Sequence, residues 1–171
     1  MTAMRRIRHA VDEDLPRIVE IYNASIPGRL ATADTDPVTV ESRIGWFSSH
    51  TPNKHPIWVL ELNDSGIIGW ISLRAFYGRP AYYATAEVSV YLDPSYSGRG
   101  HARYLLDEML TACPQMGVHN LLAFVFGHND PSLRVFERSG FEKWGHFPGV
   151  ADLDGTWRDL VILGKKLAPL E

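Results

Sequence analysis

With one cysteine, Cys113, in 171 residues, the chain can form no intrachain disulfide, which fits a reducing compartment. Cys113 falls on an apolar helical stripe and reads as a buried, inert thiol rather than a nucleophile. No stretch approaches the roughly 20 apolar residues of a membrane-crossing helix. The basic start through Arg5 and Arg6 is followed by no apolar signal core, so a cytoplasmic protein is expected. Dense Lys/Arg clusters are missing and the formal net charge is -3, which gives nucleic acid no electrostatic footing. The histidines have no ligand spacing, and no metal is expected. Repeats, low-complexity tracts and linker-like shifts are also missing. Residues 1–171 therefore read as one domain, long enough to bury roughly two-thirds of its unfolded surface.

What is present centres on Thr85 to Cys113. Thr85 to Leu92 alternates as a strand, with Val88, Val90 and Leu92 on one face and Glu87, Ser89 and Tyr91 on the other. Asp93-Pro94 stops it, because proline lacks the N–H a ladder needs. The loop Ser97-Gly98-Arg99-Gly100-His101-Ala102 follows, then apolar residues at helical spacing: Ala102, Leu105, Leu106, Met109, Leu110 and Cys113. Strand, glycine loop and helix together offer bare N–H groups and a positive helix end to a phosphate. The loop is neither a P-loop, having no lysine after its second glycine, nor a full G-x-G-x-x-G, since Arg103 fills the last place. Taken alone, it is equally a tight turn with no ligand.

Around this centre the pattern predicts a strand over Arg5–Ala10 and an acidic helix opening at Asp12-Glu13-Asp14. Arg29 to Asp36 reads as loop, with Arg29 and Thr32 as candidate substrate contacts. A second helix starts at Pro37 and turns Val40, Ile44 and Phe47 inward. Ile57–Leu62 and Ile67–Phe76 form a hairpin, and a long strand covers Tyr82–Leu92. The glycine-loop helix runs to about Gln115, where Pro114 distorts its last turn. Asn120–Phe126 is a strand buried on both faces. Asp130-Pro131 opens a helix with Asp130 as N-cap. Strands over Glu142–Phe147 and Arg158–Lys166 are joined by a long connection with a tight Asp154-Gly155 turn. The order β α α β β β α β α β β implies a mixed sheet with helices on both faces, an α/β (α+β) architecture.

In its motifs the chain resembles the GNAT superfamily of acetyl-CoA-dependent N-acetyltransferases, in its phosphinothricin acetyltransferase-like branch. Thr85-Ala86-Glu87-Val88-Ser89-Val90-Tyr91 is similar to that branch's Thr-x-Glu-x-Ser-Val-Tyr strand. Gly100 and Ala102 match the superfamily loop Gln/Arg-x-x-Gly-x-Gly/Ala, with Ser97 where Gln or Arg is usual. Asn129-Asp130-Pro131-Ser132 matches its Asn-x-x-Ser/Ala helix opening.

The resemblance implies a mostly antiparallel sheet of about seven strands, with a bulged fourth strand splayed from the fifth and acetyl-CoA in the gap. Val90, Tyr91 and Leu92 would contact it through backbone groups, and Ser97, Gly98, Arg99, Gly100, His101 and Ala102 would cradle the pyrophosphate. Asn129 would orient the pantetheine arm, with Ser132 nearby. Glu87 is the candidate general base, and an N–H near Val90 the oxyanion donor. Arg74, Phe76 and Tyr83 stand where an amine substrate would bind, Arg74 as a bidentate carboxylate partner. Phe136 occupies the place where relatives have Tyr or His, so no side-chain general acid is expected. Leu153 stands where the branch often has Lys, which weakens the case for phosphinothricin itself. A homodimer is implied by analogy, with Trp157 and the last strands able to supply its apolar contact. Two other readings stay open: an acetyltransferase for protein or peptide amines, and a non-catalytic CoA-binding sensor.

Overall fold

A computed structural model, describing residues 3–167, forms one seven-stranded sheet with helices on both faces. In chain order the elements are β1 (Arg5–His9), α1 (Leu15–Ala24), α2 (Val40–Ser48), β2 (Ile57–Leu62), β3 (Ile67–Ala75), β4 (Thr85–Leu92), α3 (His101–Ala112), β5 (Asn120–Phe126), α4 (Asp130–Arg138), β6 (Glu142–Leu153) and β7 (Thr156–Lys166). The strand order is β1-β2-β3-β4-β5-β7-β6, and every neighbouring pair is antiparallel except β4–β5. The mixed, mostly antiparallel sheet expected from the sequence is what forms. No helix among the described residues is long and apolar enough to cross a membrane.

Strand alternation divides the interior in two. On one face Ile71, Leu73, Ala86 and Val88 pack against Leu105, Leu106 and Met109 of α3 and Phe136 of α4. On the other, Ile57, Val59 and Trp70 pack against Ile18 and Ile21 of α1. Each fully buried Leu or Met contributes about 2 kcal/mol by leaving water. Cys113 lies in the first core, where burial pushes its thiol up to about 12, as an inert cysteine requires. After Ala112 the chain tightens at Cys113–Met116, at the predicted Pro114, and closes on Gly117 at φ 73°.

β4 pairs with β5 only at Thr85↔Asn120, Ala86↔Leu121 and Glu87↔Leu122, then continues to Leu92 bonded to β3 alone. The two strands are therefore splayed. The expected bulge is absent: the β3–β4 register runs from Gly69↔Leu92 to Ala75↔Ala86 without a shift.

Other elements differ from the sequence-based expectation for local reasons. β4 begins at Thr85 rather than Tyr82, because Pro80–Tyr82 forms a 3-10 turn. α2 starts at Val40, capped by the Thr39 hydroxyl, and this phase leaves Ile44 exposed while Trp46 and Phe47 pack inward. The N-cap of α4 is Asn129, whose side chain accepts the Ser132 N–H, so Asp130 lies one residue inside. β6 runs on through Pro148 to Leu153. Between Phe147↔Leu160 and Ala151↔Arg158 the register shifts, setting Pro148, Gly149 and Val150 against Asp159 alone. That bulge absorbs the proline and glycine that suggested a loop. The Asp159 carboxylate holds it by accepting the Gly149 N–H at 2.7 Å. The hairpin turn is the expected Asp154-Gly155, with φ of 57° and 85°.

Two ion pairs tie α1 to the sheet. Arg8 grips Asp14 with both guanidinium nitrogens, at 2.7 and 3.0 Å, and Arg17 reaches Asp93 at 2.6 Å. The Arg8 bond holds the Asp14 carboxyl below its ordinary range, and the Arg17 bond does the same for Asp93. Carboxylates depressed in the folded state stabilise fully above their unfolded value of about 4, and the contribution is lost as acid protonates them. Unfolding free energy should therefore fall as pH drops from about 5 toward 3. Asp14→Asn should lower it by about 1–3 kcal/mol at neutral pH and flatten the acid limb. Denaturant unfolding across that range checks this, and an unchanged acid limb in the variant would contradict the assignment.

Candidate active site

β3 and β4 turn Ser72, Arg74, Glu87, Ser89 and Tyr91 toward the α1–α2 side, where they floor a cleft of about 960 Å³. Residues 30–34, Tyr22 and Trp46 wall it on one side; β5 and the start of α4 wall it on the other.

At one end sits Glu87, on the last residue pair that β4 makes with β5. Its side chain is 16% exposed, whereas Arg74, its register partner on β3, is 63% exposed. Arg74 Nε donates to Glu87 Oε2 at 2.9 Å, and Nη2 stands at ion-pair distance, 2.9 Å, from the same oxygen. Among the described residues neither side chain has another side-chain hydrogen bond or ion pair. Farther along the same strand face, past Ser72 and Ser89, lies a block of aromatic rings: Trp70 stacks on Tyr91 at 4.8 Å, and Trp46 and Tyr22 meet them edge-on. The Tyr22 hydroxyl is bonded to Thr32 and donates to the Asp34 carboxylate, and Arg43 bonds the same carboxylate at 3.0 Å. Burial, then Asp34, raises the Tyr22 pKa, and burial raises that of Tyr91, so both stay protonated donors.

The other end is made of backbone. Phe76 N–H donates to Thr85 O and Asp93 N–H to Ile68 O, which assigns the odd-numbered residues of β4 to the ladder with β3. The even-numbered residues face β5, and once pairing stops the N–H and C=O of Val90 and Leu92 have no strand to bond. An extended, amide-bearing ligand can add there as a short strand. Beyond it, Gly98 and Gly100 take φ of 75° and 81° at the start of α3, and a Cβ at either would meet nothing within 4 Å. The helix start is thus open on that side to an anion. His101 is buried, with Nδ1 unpartnered; burial, then Arg5 and Arg99, keeps it below the usual histidine value. Ser97 commits its hydroxyl to the Pro94 carbonyl at 2.6 Å, leaving its N–H neighbours to do the work its side chain does not.

Of the residues singled out in the sequence, Thr32, Arg74, Phe76, Glu87, Val90, Tyr91, Asn129 and Ser132 come together around the cleft. Leu92 and the Ser97–Ala102 loop lie beyond its lining, along the open end of β4 and the start of α3. Arg29 turns away: it bonds Asp154 at 2.7 Å and the Thr35 carbonyl at 2.7 Å. Tyr83 is 68% exposed, beneath the Lys54 ammonium. Asn129 caps α4 and donates to the Leu30 carbonyl at 3.0 Å, while His128 contacts the Arg29 carbonyl at 2.9 Å. Both therefore fasten the 29–34 segment over the cleft. Sequence reasoning missed Tyr22, Asp34, Arg43, Trp70, Val150 and Ala151 as lining residues. Trp70 and Ser72 were recoverable, sharing a strand face with Arg74; the meeting of Asp34 with Arg43 has no local signal.

Asn129→Ala should cost about 1–2 kcal/mol through the lost cap and the unpaired Leu30 carbonyl. It should also speed proteolysis within 29–34 in the folded protein. Unaltered cleavage would show that Asn129 does not hold the segment.

The described residues include no cluster of metal-binding side chains. Comparison with known proteins agrees with the architecture. Residues 5–142 match the acetyltransferase (GNAT) domain family. YwnH of Bacillus subtilis, named "Putative phosphinothricin acetyltransferase", is 50% identical over 95% of this chain and 99% of its own. The L-methionine sulfoximine/L-methionine sulfone acetyltransferase of Pseudomonas aeruginosa is 29% identical over 95% of each chain. Among solved structures, a GNAT superfamily phosphinothricin acetyltransferase from Sinorhizobium meliloti, in complex with AcCoA, superposes with a TM-score of 0.90 at 31% identity, covering 98% of this chain and 90% of its own. The splayed strands, the open helix start and these likenesses converge: the chain belongs to the GNAT acetyltransferase family and is an N-acetyltransferase.

Proposed function

We propose that the protein acetylates the primary amine of a small amino acid or amino-acid analogue, of the phosphinothricin or methionine sulfoximine kind, using acetyl-CoA. The observation that carries this is Glu87, a mostly buried carboxylate at the point where β4 leaves β5, with one guanidinium beside it and aromatic rings farther along the same cleft floor. The 29–34 segment narrows the cleft, which favours a small acceptor over a peptide. The named relatives support the same acceptor class. Leu153 is buried and takes no part in the lining, so the branch's lysine has no replacement there.

The donor site fits the residues present. The free N–H and C=O groups of Val90 and Leu92 would pair with pantetheine amides, and the α3 start, from Ser97 to Ala102, would receive the pyrophosphate. Acetyl-CoA supplies an activated acyl group on a thiol leaving group. The chain's own residues do the rest. An amine with a pKa of about 10 arrives protonated, and Glu87 takes that proton, directly or through a water. The amine nitrogen then bonds to the acyl carbon as the carbon–sulfur bond breaks. The Val90 N–H faces the opening and would donate to the charge developing on the acyl oxygen. Phe136, buried against Phe141, offers no proton. A thiol with a pKa of about 8.5 leaves as thiolate, and the nitrogen's second proton reaches it through water.

Glu87→Gln should lower kcat by about 10²- to 10⁴-fold with little change in acetyl-CoA affinity. Initial rates of CoA release, with phosphinothricin, methionine sulfoximine, polyamines and a lysine peptide as acceptors, check base and acceptor class together. Full activity in the variant would remove Glu87 as base. Turnover confined to the peptide would replace the acceptor class, and acetyl-CoA binding without turnover would favour a sensor.

The same reading includes a homodimer. Trp144 and Phe147 are exposed on one face of edge strand β6, and Trp157 is exposed at the start of β7, apolar side chains that a second copy of this chain would cover. Sedimentation should give a dimer that Trp157→Arg weakens; a wild-type monomer at micromolar concentration would contradict it.

A further inference from the structure

We propose that Arg74 is a gate on the catalytic base, opened by the acceptor's own carboxylate. The inference rests on the reading of Glu87 as base and of an amino acid as acceptor. It adds that binding and activation of that acceptor are one event.

The geometry sets the gate. Arg74 and Glu87 face each other across β3 and β4, where Arg74 Nε donates to Glu87 Oε2 and Nη2 stands at ion-pair distance from the same oxygen. In this arrangement Oε2, one of the two oxygens that could accept the amine proton, is occupied by the guanidinium. The two partners are not equally fixed. Glu87 is mostly buried on the cleft floor, whereas Arg74 is nearly two-thirds exposed and has no second partner among the described residues. A competing carboxylate can therefore draw the guanidinium away at small cost, while the glutamate stays in place. Arg74 is also the cation best placed to be drawn. The other guanidinium lining the cleft, Arg43, is itself bonded to Asp34 and packed over the Tyr22 ring at 4.9 Å.

An α-amino acid carries both required groups. Its carboxylate would replace Glu87 as the bidentate partner of Arg74, a geometry that guanidinium suits. Glu87 Oε2 is thereby freed. The α-ammonium, two bonds from the carboxylate carbon, is brought toward that oxygen. One proton passes from nitrogen to Glu87, nitrogen bonds to the acyl carbon as the carbon–sulfur bond breaks, and the nitrogen's second proton passes through water to the departing thiolate. An amine without a carboxylate meets a base still held by Arg74. The selectivity for carboxylate-bearing acceptors then resides in kcat as well as in KM, which simple binding at Arg74 would not produce. This also explains why the base and the substrate-binding arginine are register partners rather than residues on separate elements.

The test compares L-methionine sulfone with its α-carboxamide in wild type, Arg74→Gln and Glu87→Gln, by steady-state CoA release at saturating acetyl-CoA. The amide's amine is the less basic of the two, so an ungated enzyme would not slow it. In wild type the amide should show kcat lower by about tenfold or more, and added formate should raise it. In Arg74→Gln the amide kcat should rise toward that of the acid, formate should have no effect, and the acid should show a raised KM. A wild-type amide that differs from the acid in KM alone, unresponsive to formate, overturns the gate even if the Arg74 variant fails to fold. So does an Arg74→Gln enzyme that slows both acceptors alike. If Glu87→Gln retains full activity, the base reading itself is wrong and the gate falls with it. If the base variant is inactive but the first two signatures are missing, the gate alone is wrong.

Discussion

The site depends on the loss of parallel pairing between β4 and β5 after Glu87↔Leu122. Each strand is held from its far side, β4 by a regular ladder to β3 and β5 by a ladder to β7 that extends to Phe126↔Leu160. Neither needs the other to stay extended. Backbone groups that a continuous sheet would consume are therefore left facing a gap, and an unbonded buried N–H or C=O is costly unless something enters to pair with it. The parting also sets where the carboxylate stands. Glu87 is anchored by the final pair, three residues before Val90, where the backbone is free. The Glu87 carboxylate and the open backbone are thus placed relative to each other by the ladder, without any loop between them.

The two faces of the sheet serve different ends. Under α3 and α4 the core is aliphatic and closed, and its few polar atoms lie at the margins. Under α1 and α2 the interior gives way to stacked aromatic rings and a bonded set of Tyr22, Thr32, Asp34 and Arg43. A polar set in that position is tolerated because each member satisfies another. It also fixes a segment that has no regular structure of its own, with His128 and Asn129 gripping its backbone from across the cleft.

Most of the architecture was legible because its signals are local. Alternation along Thr85–Leu92, the glycines needing positive φ before α3, the apolar stripe at Leu105, Leu106 and Met109, and the Asp154-Gly155 turn each act over a few residues. Where the reading departed from the structure, non-local bonding decided the outcome. Pro148-Gly149 reads as a break, yet a carboxylate on the neighbouring strand holds it inside β6 as a bulge. Ile44 matched an inward spacing, but packing of Trp46 on Trp70 fixed the helix phase. Within the site, Glu87 and Arg74 were each identifiable as chemically apt, while their contact follows only from the β3–β4 register. Tyr22 meets Asp34 and Arg43 through a loop whose path no short motif specifies. Asn129 was recognised by motif, but its bonds to Ser132 and Leu30 are tertiary facts.

The β6 bulge reaches farther than its place at the sheet edge suggests. By setting Pro148, Gly149 and Val150 against Asp159 alone, it lets an outer strand contribute Val150 and Ala151 to the cleft wall. The open-backbone end is built from one continuous run, β4 through the start of α3. The opposite chamber is assembled from α1, the 30–34 segment, α2, β3 and this edge hairpin. Substitution, insertion or deletion in the hairpin would reshape that chamber while leaving the splayed strands as they are. The fold thus separates a fixed machine from an exchangeable nozzle, and one scaffold can be given a new chamber by editing its periphery.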